Sequence, residues 1–214
     1  MNLLSYLQQY QTQLAARTLE HLWLVALSIG LAALIGIPAG VLLTRRPTLE
    51  RWVLGVANTA QTIPSLALFG FLIPLPWIGG VGPRSAIVAL VLYALLPIIR
   101  NTYAGIQGVD RSVRQAAEAM GMTDRQLLRL VELPLAARTI MAGLRVATVS
   151  SIGLATIAAL IGAGGLGEFI FRGIQSVNTG LLLIGAVPAA LMALAADFGL
   201  GLVEKRLVRG QAGS

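Results

Sequence analysis

Little in this 214-residue chain could make or break a covalent bond. It has no cysteine, which excludes disulfides, thiolate nucleophiles and zinc–sulfur sites. A single histidine, His21, cannot build a multi-histidine metal centre alone, so no metal site is expected. Asp197 is an acid inside an apolar run, where a carboxylate turns to protein, water or a nearby arginine and not to lipid. No second acid lies at similar depth and no serine stands in G-x-S-x-G, so a membrane hydrolase lacks its catalytic set. Residues 162–167 spell G-x-G-x-x-G, but they follow an apolar run of helical length, and a dinucleotide site needs a strand there. No G-x-x-x-x-G-K-[ST] occurs, so the chain does not itself cradle ATP phosphates. The chemistry that remains belongs to uncharged polar groups in apolar surroundings. Gln61, Thr62 and Ser65 surround Pro64, which removes a backbone hydrogen bond and bends a helix. Gln61 and Ser65, four apart, are expected to share one helical face, opposite Ile63 and Leu68. Such groups either line a water-filled path, with Asn101 and Tyr103 near its cytoplasmic exit, or satisfy the broken backbone and neighbouring helices.

Composition dictates what positions these groups. Apolar residues make up 56% of the chain and charged residues only 12%. Mean hydropathy is +0.79. A soluble domain of this size cannot hide so much apolar surface, so the chain is a membrane protein and not a nucleic-acid module or soluble enzyme. A bilayer core takes about 20 apolar residues per helix. Apolar runs at 22–43, 53–77, 86–99, 134–161 and 179–203 predict five spans; the first three are uncharged, the second is broken by Pro64, Pro74 and Pro76, the fourth has Arg145 near its beginning and the fifth Asp197 near its end. The third reaches Tyr103 if Arg100 snorkels to the interface. Residues 1–18 predict an interfacial amphipathic helix, with Leu3, Leu4, Leu7, Tyr10 and Leu14 at helical spacing. No Lys or Arg lies in residues 1–10, so a cleavable leader is not expected. Residues 19–206 then form one five-span transmembrane domain and 207–214 a cytoplasmic tail. Gly36 and Gly40 mark a close helix contact, either within the subunit or at a dimer seam. Glu20 and His21 are expected as interfacial caps. The net charge of +7 reflects topology, not nucleic acid: with the N-terminus outside, twelve cationic residues face the cytoplasm and three (Arg17, Arg84, Arg172) face out. The glycine turn at 162–167 then lies on the outer face, as an outer gate built on Gly164, Gly165 and Gly167 or as a plain hairpin.

The segment 101–138 is too long for a connector. Asp110 can cap a helix that stops at Gly121, and Thr123 with Gln126 makes a capping box for a second. Pro134 suits the first turn of the membrane helix that follows. The run Gln115-Ala116-Ala117, then Gly121, then Val131-Glu132-Leu133-Pro134 resembles the Glu-Ala-Ala-x3-Gly-x9-Ile-x-Leu-Pro pattern of membrane subunits of binding-protein-dependent ABC importers. It departs at Gln115 and Val131, and the first departure removes a charge from that contact. The resemblance covers about 21–206. It implies an all-α integral membrane protein with five transmembrane helices and a cytoplasmic helix–turn–helix coupling loop at 104–138, on a methionine-importer-like permease fold. In that family Gln115, Ala116, Ala117, Gly121, Leu133 and Pro134 would belong to the element that docks on the ATPase.

Three stretches narrow the resemblance to the osmoprotectant branch, which imports glycine betaine, choline and carnitine. They are residues 58–66, residues 95–103 and residues 161–167. The methionine-importer branch is the competing expectation. By the same resemblance the chain is a non-catalytic permease subunit in the bacterial inner membrane and binds no cofactor itself. ATP and Mg belong to a separate ABC ATPase. The remaining partners are a second permease copy or paralogue, a periplasmic or lipid-anchored substrate-binding protein, and membrane lipid. A passive channel would need no ATPase dock. Quaternary ammonium recognition needs an aromatic cage, whereas Trp23, Trp52 and Trp77 lie near span ends, so solute selectivity is expected to reside mainly in the receptor.

Overall fold

A computed structural model describes residues 3–75, 77–78 and 80–209. The side chains of Leu3, Leu4 and Leu7, together with Pro76 and the tail beyond Arg209, lie outside the described residues. No strand occurs among the described residues. The first helix, α1 (Leu3–Thr44), has 42 residues and no break near residue 18, so the expected surface helix and first span are one rod. After two residues α2 (Pro47–Thr62) begins, followed by α3 (Ser65–Leu72). Between them Pro64 is extended, with ψ at 135°. Its ring keeps the preceding residue away from helical geometry, which is why the break falls where it does. Next come α4 (Pro83–Gln107), the short α5 (Arg111–Ala119) and the single turn α6 (Asp124–Gln126). A π-helical turn at Leu127–Glu132 leads into α7 (Leu133–Ala158), which tightens to 3₁₀ geometry at Ala159–Ile161. The chain closes with α8 (Gly167–Gln175) and α9 (Thr179–Arg209).

Among the described residues, four helices are long and apolar enough to cross a membrane: Gln8–Thr44, Pro83–Gln107, Asp124–Ile161 and Thr179–Arg206. The second expected span is divided between α2 and α3. Pro134 stands in the first turn of α7, where the sequence places it, but α7 is not a separate rod, since the helix runs unbroken from Asp124. An interior proline lacks an N–H and presses its ring on the carbonyl four residues back. The wider π-turn just before it absorbs that defect, with the Leu133 N–H bonded to the Leu128 carbonyl, five residues back.

In lipid, helices associate by close packing of small residues and not by hiding apolar surface from water. The interior accordingly buries Ala32, Ala86, Ala89, Ala94, Ala147, Ala155 and Ala158, while Trp52, Phe71, Leu191 and Phe198 stand outside. Helix α4 packs between α1 and α7, with α9 against α7 and α8 against α9. Gly36 and Gly40 face Ile98 and Thr102 of α4, so this pair serves packing within the subunit. On the other side of α4, a methyl at Gly143 would lie 2.5 Å from Asn101 Cβ and 2.8 Å from the Pro97 carbonyl oxygen. Gly143→Val should therefore lower stability by about 1–3 kcal/mol, the usual range for overpacking. Gly199, with nothing within 4 Å, supplies the control as Gly199→Ala. The check is thermal unfolding of both variants in detergent, where only Gly143→Val should unfold earlier.

Candidate functional site

Two prolines set up the polar groups at the centre of the fold. Pro97 in α4 cannot donate to the Tyr93 carbonyl, and Gln61 Nε2 donates to that oxygen instead, at 3.4 Å. The Tyr93 hydroxyl in turn donates to the carbonyl of Ile63, inside the α2–α3 break. Asn101 Nδ2 donates to the Pro97 carbonyl at 2.7 Å, and the Thr62 hydroxyl to the Thr59 carbonyl at 2.7 Å. Around these bonds lies a cavity of about 840 Å³, open to one side, between the break, α4 and α7. Gln61, Thr62, Pro64, Ser65 and Asn101 line it, as expected for the path residues. Tyr103 does not; its hydroxyl is set beside Glu50 of α2. Ile63, placed by helical spacing on the opposite face, also lines the cavity. The spacing rule assumes an unbroken helix, and the chain is extended at Pro64. The polar lining residues that the sequence does not place on the path are Tyr93, Arg100, Ser150 and Ser151. The adjacent serines within an apolar helix were the available signal.

The segment 101–138 is held by local caps and one buried charge. The Asp110 carboxylate accepts from the Ser112 N–H at 2.8 Å and begins α5. Bonds from the Ser112 backbone and side chain hold its pKa below the usual aspartate value. Gly121 takes a φ of +80°, which ends α5 in the left-handed region that favours glycine. Thr123 and Gln126 form the capping box. Ala117 is buried within the chain, whereas Gln115 and Ala116 are exposed. Of the two alanines, only Ala116 is thus free to meet a partner. Leu133 and Pro134 are half-buried. Sequence reading passed over Glu132, which is fully buried. Arg45 Nη2, from the end of α1, donates to Glu132 Oε2 at 2.6 Å. Arg114 Nε of α5 stands 3.3 Å from Oε1, close enough for an ion pair but not aligned as a hydrogen bond. Arg114 also donates to the Ile106 carbonyl. Removing the acid strands both guanidiniums. Because Arg45 is 41% and Arg114 23% exposed, the loss falls below the range for a fully buried pair. Glu132→Ala should cost about 1–3 kcal/mol. Comparing unfolding temperatures of Glu132→Ala and Glu132→Gln in detergent checks this, with the glutamine variant falling less.

At the opposite end of the helices the glycine turn is packed tightly. Gly162, Gly164 and Gly165 have φ of 72°, 81° and 79°, and Gly164, Gly165 and Gly167 are buried. The Gly165 N–H donates to Glu20 Oε2 at 3.1 Å, and the Leu166 N–H to His21 Nδ1 at 3.4 Å. His21 Nε2 lies 3.1 Å from the Ile152 carbonyl, which assigns the ring proton to Nε2. Arg17 pairs with Glu20 at 2.7 Å and Glu168 at 2.8 Å. Glu20 and His21 thus anchor the turn on α1, and His21 is fully buried and not an interfacial cap. Gly167 begins α8 with the Thr156 carbonyl oxygen where a side chain would start. Asp197 takes the arginine alternative: Arg145 grips it at two points, with Nη2 donating to Oδ2 at 2.6 Å and Nε to Oδ1. Among the described residues no three acids, histidines or cysteines gather as a metal site.

Residues 32–209 match the family described as binding-protein-dependent transport system inner membrane component. The chain is 43% identical to a carnitine transport permease protein, OpuCB, of Listeria monocytogenes, over 96% of its length and 93% of the relative's. It is 42% identical to the choline transport system permease protein OpuBB of Bacillus subtilis, covering 96% of this chain and 94% of that one. With the osmoprotectant import permease OsmW of Salmonella typhimurium it shares 45%, over 92% and 93%. An inward-facing MetNI methionine ABC transporter structure superposes with a TM-score of 0.82 at 25% identity, covering 91% of this chain and 96% of that one. The chain therefore belongs to the binding-protein-dependent transport family, as a non-catalytic permease subunit of an ABC transporter whose ATPase is a separate subunit.

Proposed function

We propose that this chain is the permease subunit of an importer that carries glycine betaine, carnitine or choline across the bacterial inner membrane. The carrying observation is the 42–45% identity, over nearly the whole chain, to relatives named for these compounds. The methionine alternative rests on a structure at 25% identity and is the weaker. The cavity at the α2–α3 break is the solute path, with Gln61, Thr62, Pro64, Ser65 and Asn101 on its wall and Tyr103 set back beside Glu50. Gly164, Gly165 and Gly167 close its outer side as a turn fastened to α1.

Residues 19–206 form one five-span domain with the N-terminus outside and the C-terminus in the cytoplasm. Support for the fifth crossing comes from the connections. Helix α1 ends at the Arg45–Glu132 pair, while α4 begins beside Gly162 of the glycine turn at the other end. The segment between them, α2 with α3, therefore has to traverse. Support for the orientation is the twelve-to-three division of cationic residues. Single cysteines are clean in a chain that has none. Cysteines replacing Arg84 and Arg172 should react with an impermeant thiol reagent added outside, and one replacing Arg125 only after permeabilisation. At positions 61 and 65 labelling should depend on turnover, and at Leu68, which packs on the core, it should not occur. Labelling of Arg125→Cys from outside would overturn the orientation.

The segment 104–138 then lies in the cytoplasm and docks on the ABC ATPase, which holds ATP and Mg. Gln115, Ala116 and Gly121 meet the partner, and Ala117, Leu133 and Pro134 support them from within. A second permease copy or a paralogue completes the path, and a periplasmic or lipid-anchored binding protein delivers the solute. Ala116→Arg or Gly121→Asp should abolish uptake of all three solutes in proteoliposomes while the permease remains in the membrane. Wild-type uptake of radiolabelled glycine betaine, carnitine or choline, dependent on ATP and receptor, tests the function itself. Normal uptake by both variants would remove this segment from coupling.

A further inference from the structure

The wall of the cavity is polar but electrically one-sided. Among the described residues, Arg100 is the one formally charged residue that lines it, and no carboxylate does. Arg100 is exposed and forms no ion pair among the described residues, whereas Arg17, Arg45, Arg114, Arg138 and Arg145 all do. Several neighbouring donors are already committed: Gln61, Thr62, Tyr93 and Asn101 each donate to a backbone carbonyl. Ser65, Ser150 and Ser151 also line the cavity, and of these Ser151 is the buried one, 1% exposed, with an Oγ that has no hydrogen-bond partner among the described residues. A buried hydroxyl left without a partner carries a desolvation cost that an acceptor entering the cavity would remove.

Resting on the reading of this cavity as the solute path, we infer that Arg100 and Ser151 form a carboxylate subsite that favours carboxylate-bearing zwitterions over plain quaternary ammonium cations. A quaternary ammonium group offers no N–H, so it is held by aromatic faces, and Tyr93 is the one aromatic residue on this wall among the described residues. The cavity therefore addresses the other end of the solute. Glycine betaine and carnitine both end in a carboxylate, which matches the planar fork of a guanidinium. Choline ends in a hydroxyl and carries only positive charge, so Arg100 opposes its entry. Selection by the receptor is thus followed by a second, weaker selection in the membrane.

The test compares uptake of glycine betaine, carnitine and choline by the complete importer, with receptor and ATPase, in proteoliposomes. Arg100→Gln should shift the ratio of carboxylate-bearing to choline uptake toward choline by about tenfold, the scale of one charge-assisted contact. Ser151→Ala should shift it the same way by about threefold. Arg100→Lys keeps the charge and should hold the ratio near the wild-type value. Equal loss of all three solutes in Arg100→Gln, or an unmoved ratio in both Arg100→Gln and Ser151→Ala, overturns the subsite while leaving the importer intact. A wild-type importer that moves choline alone also overturns it. Where the receptor admits only carboxylates, rescue by lysine decides, and a loss as deep in Arg100→Lys as in Arg100→Gln refutes the role of charge. Wild-type uptake of none of the three removes the osmoprotectant reading and the subsite together.

Discussion

A carboxylate taken fully out of solvent is tolerated only when opposite charge meets it, and the buried Glu132 determines much of the inner end of this fold. Its two partners come from different places, Arg45 from the end of α1 and Arg114 from α5. The carboxylate itself sits on the π-helical turn that opens into α7. Three segments distant in sequence are thereby tied at one point. Segment 104–138 is consequently a rigid bracket and not a slack connector. Under the docking proposed above, a push on α5 would be passed through Arg114 and Glu132 to the rod containing α7 and, through Arg45, to α1. The contrast with Arg138 and Glu204 is instructive: at 3.5 Å, with Arg138 71% exposed, that pair contributes little.

The same rule, that polar groups away from water must be answered, shapes the cavity. Pro64 and Pro97 each disturb a helix, and Gln61 and Tyr93 bond each other's neighbourhoods across the gap. The sequence offers two roles for these residues, wall of a path or repair of a broken backbone. They are not alternatives in the folded chain. Gln61 repairs the Tyr93 carbonyl and remains on the cavity wall. Thr62, Tyr93 and Asn101 are likewise engaged with backbone carbonyls while lining or bordering the same cavity, which leaves Arg100 and the wall serines as the polar groups there without a side-chain partner among the described residues.

What could be read from residues alone was whatever depends on short range or on the solvent. Hydropathy located the long helices because lipid imposes length and apolarity on each one separately. The Asp110 cap, the Thr123–Gln126 box and the Gly121 turn were legible because every partner lies within three residues of the next. Contacts made by folding were not. His21 answers the backbone of Leu166, 145 residues away, and Arg45 answers Glu132, 87 residues away. No spacing rule predicts either. Pro134 was legible as a first-turn proline of α7, but the wide turn that joins α7 to the stretch from Asp124 has no sequence signature. Ile63 misled because the helical periodicity used to place it stops at Pro64.

That wide turn has a consequence for how the chain tolerates changes in length. A π-turn carries one residue more than the α-helix it interrupts, and each residue sets about 100° of rotation. Deleting one residue within 127–132 would let the rod settle into regular α geometry without disturbing hydropathy or any cap. Because the wide turn completes its single revolution with that extra residue, the deletion would leave the flanking stretches close in phase. What it would remove is the widened backbone just before Pro134, so the proline ring would again press on a regular helical turn. The extra residue is thus the means by which one continuous rod carries a proline in its interior.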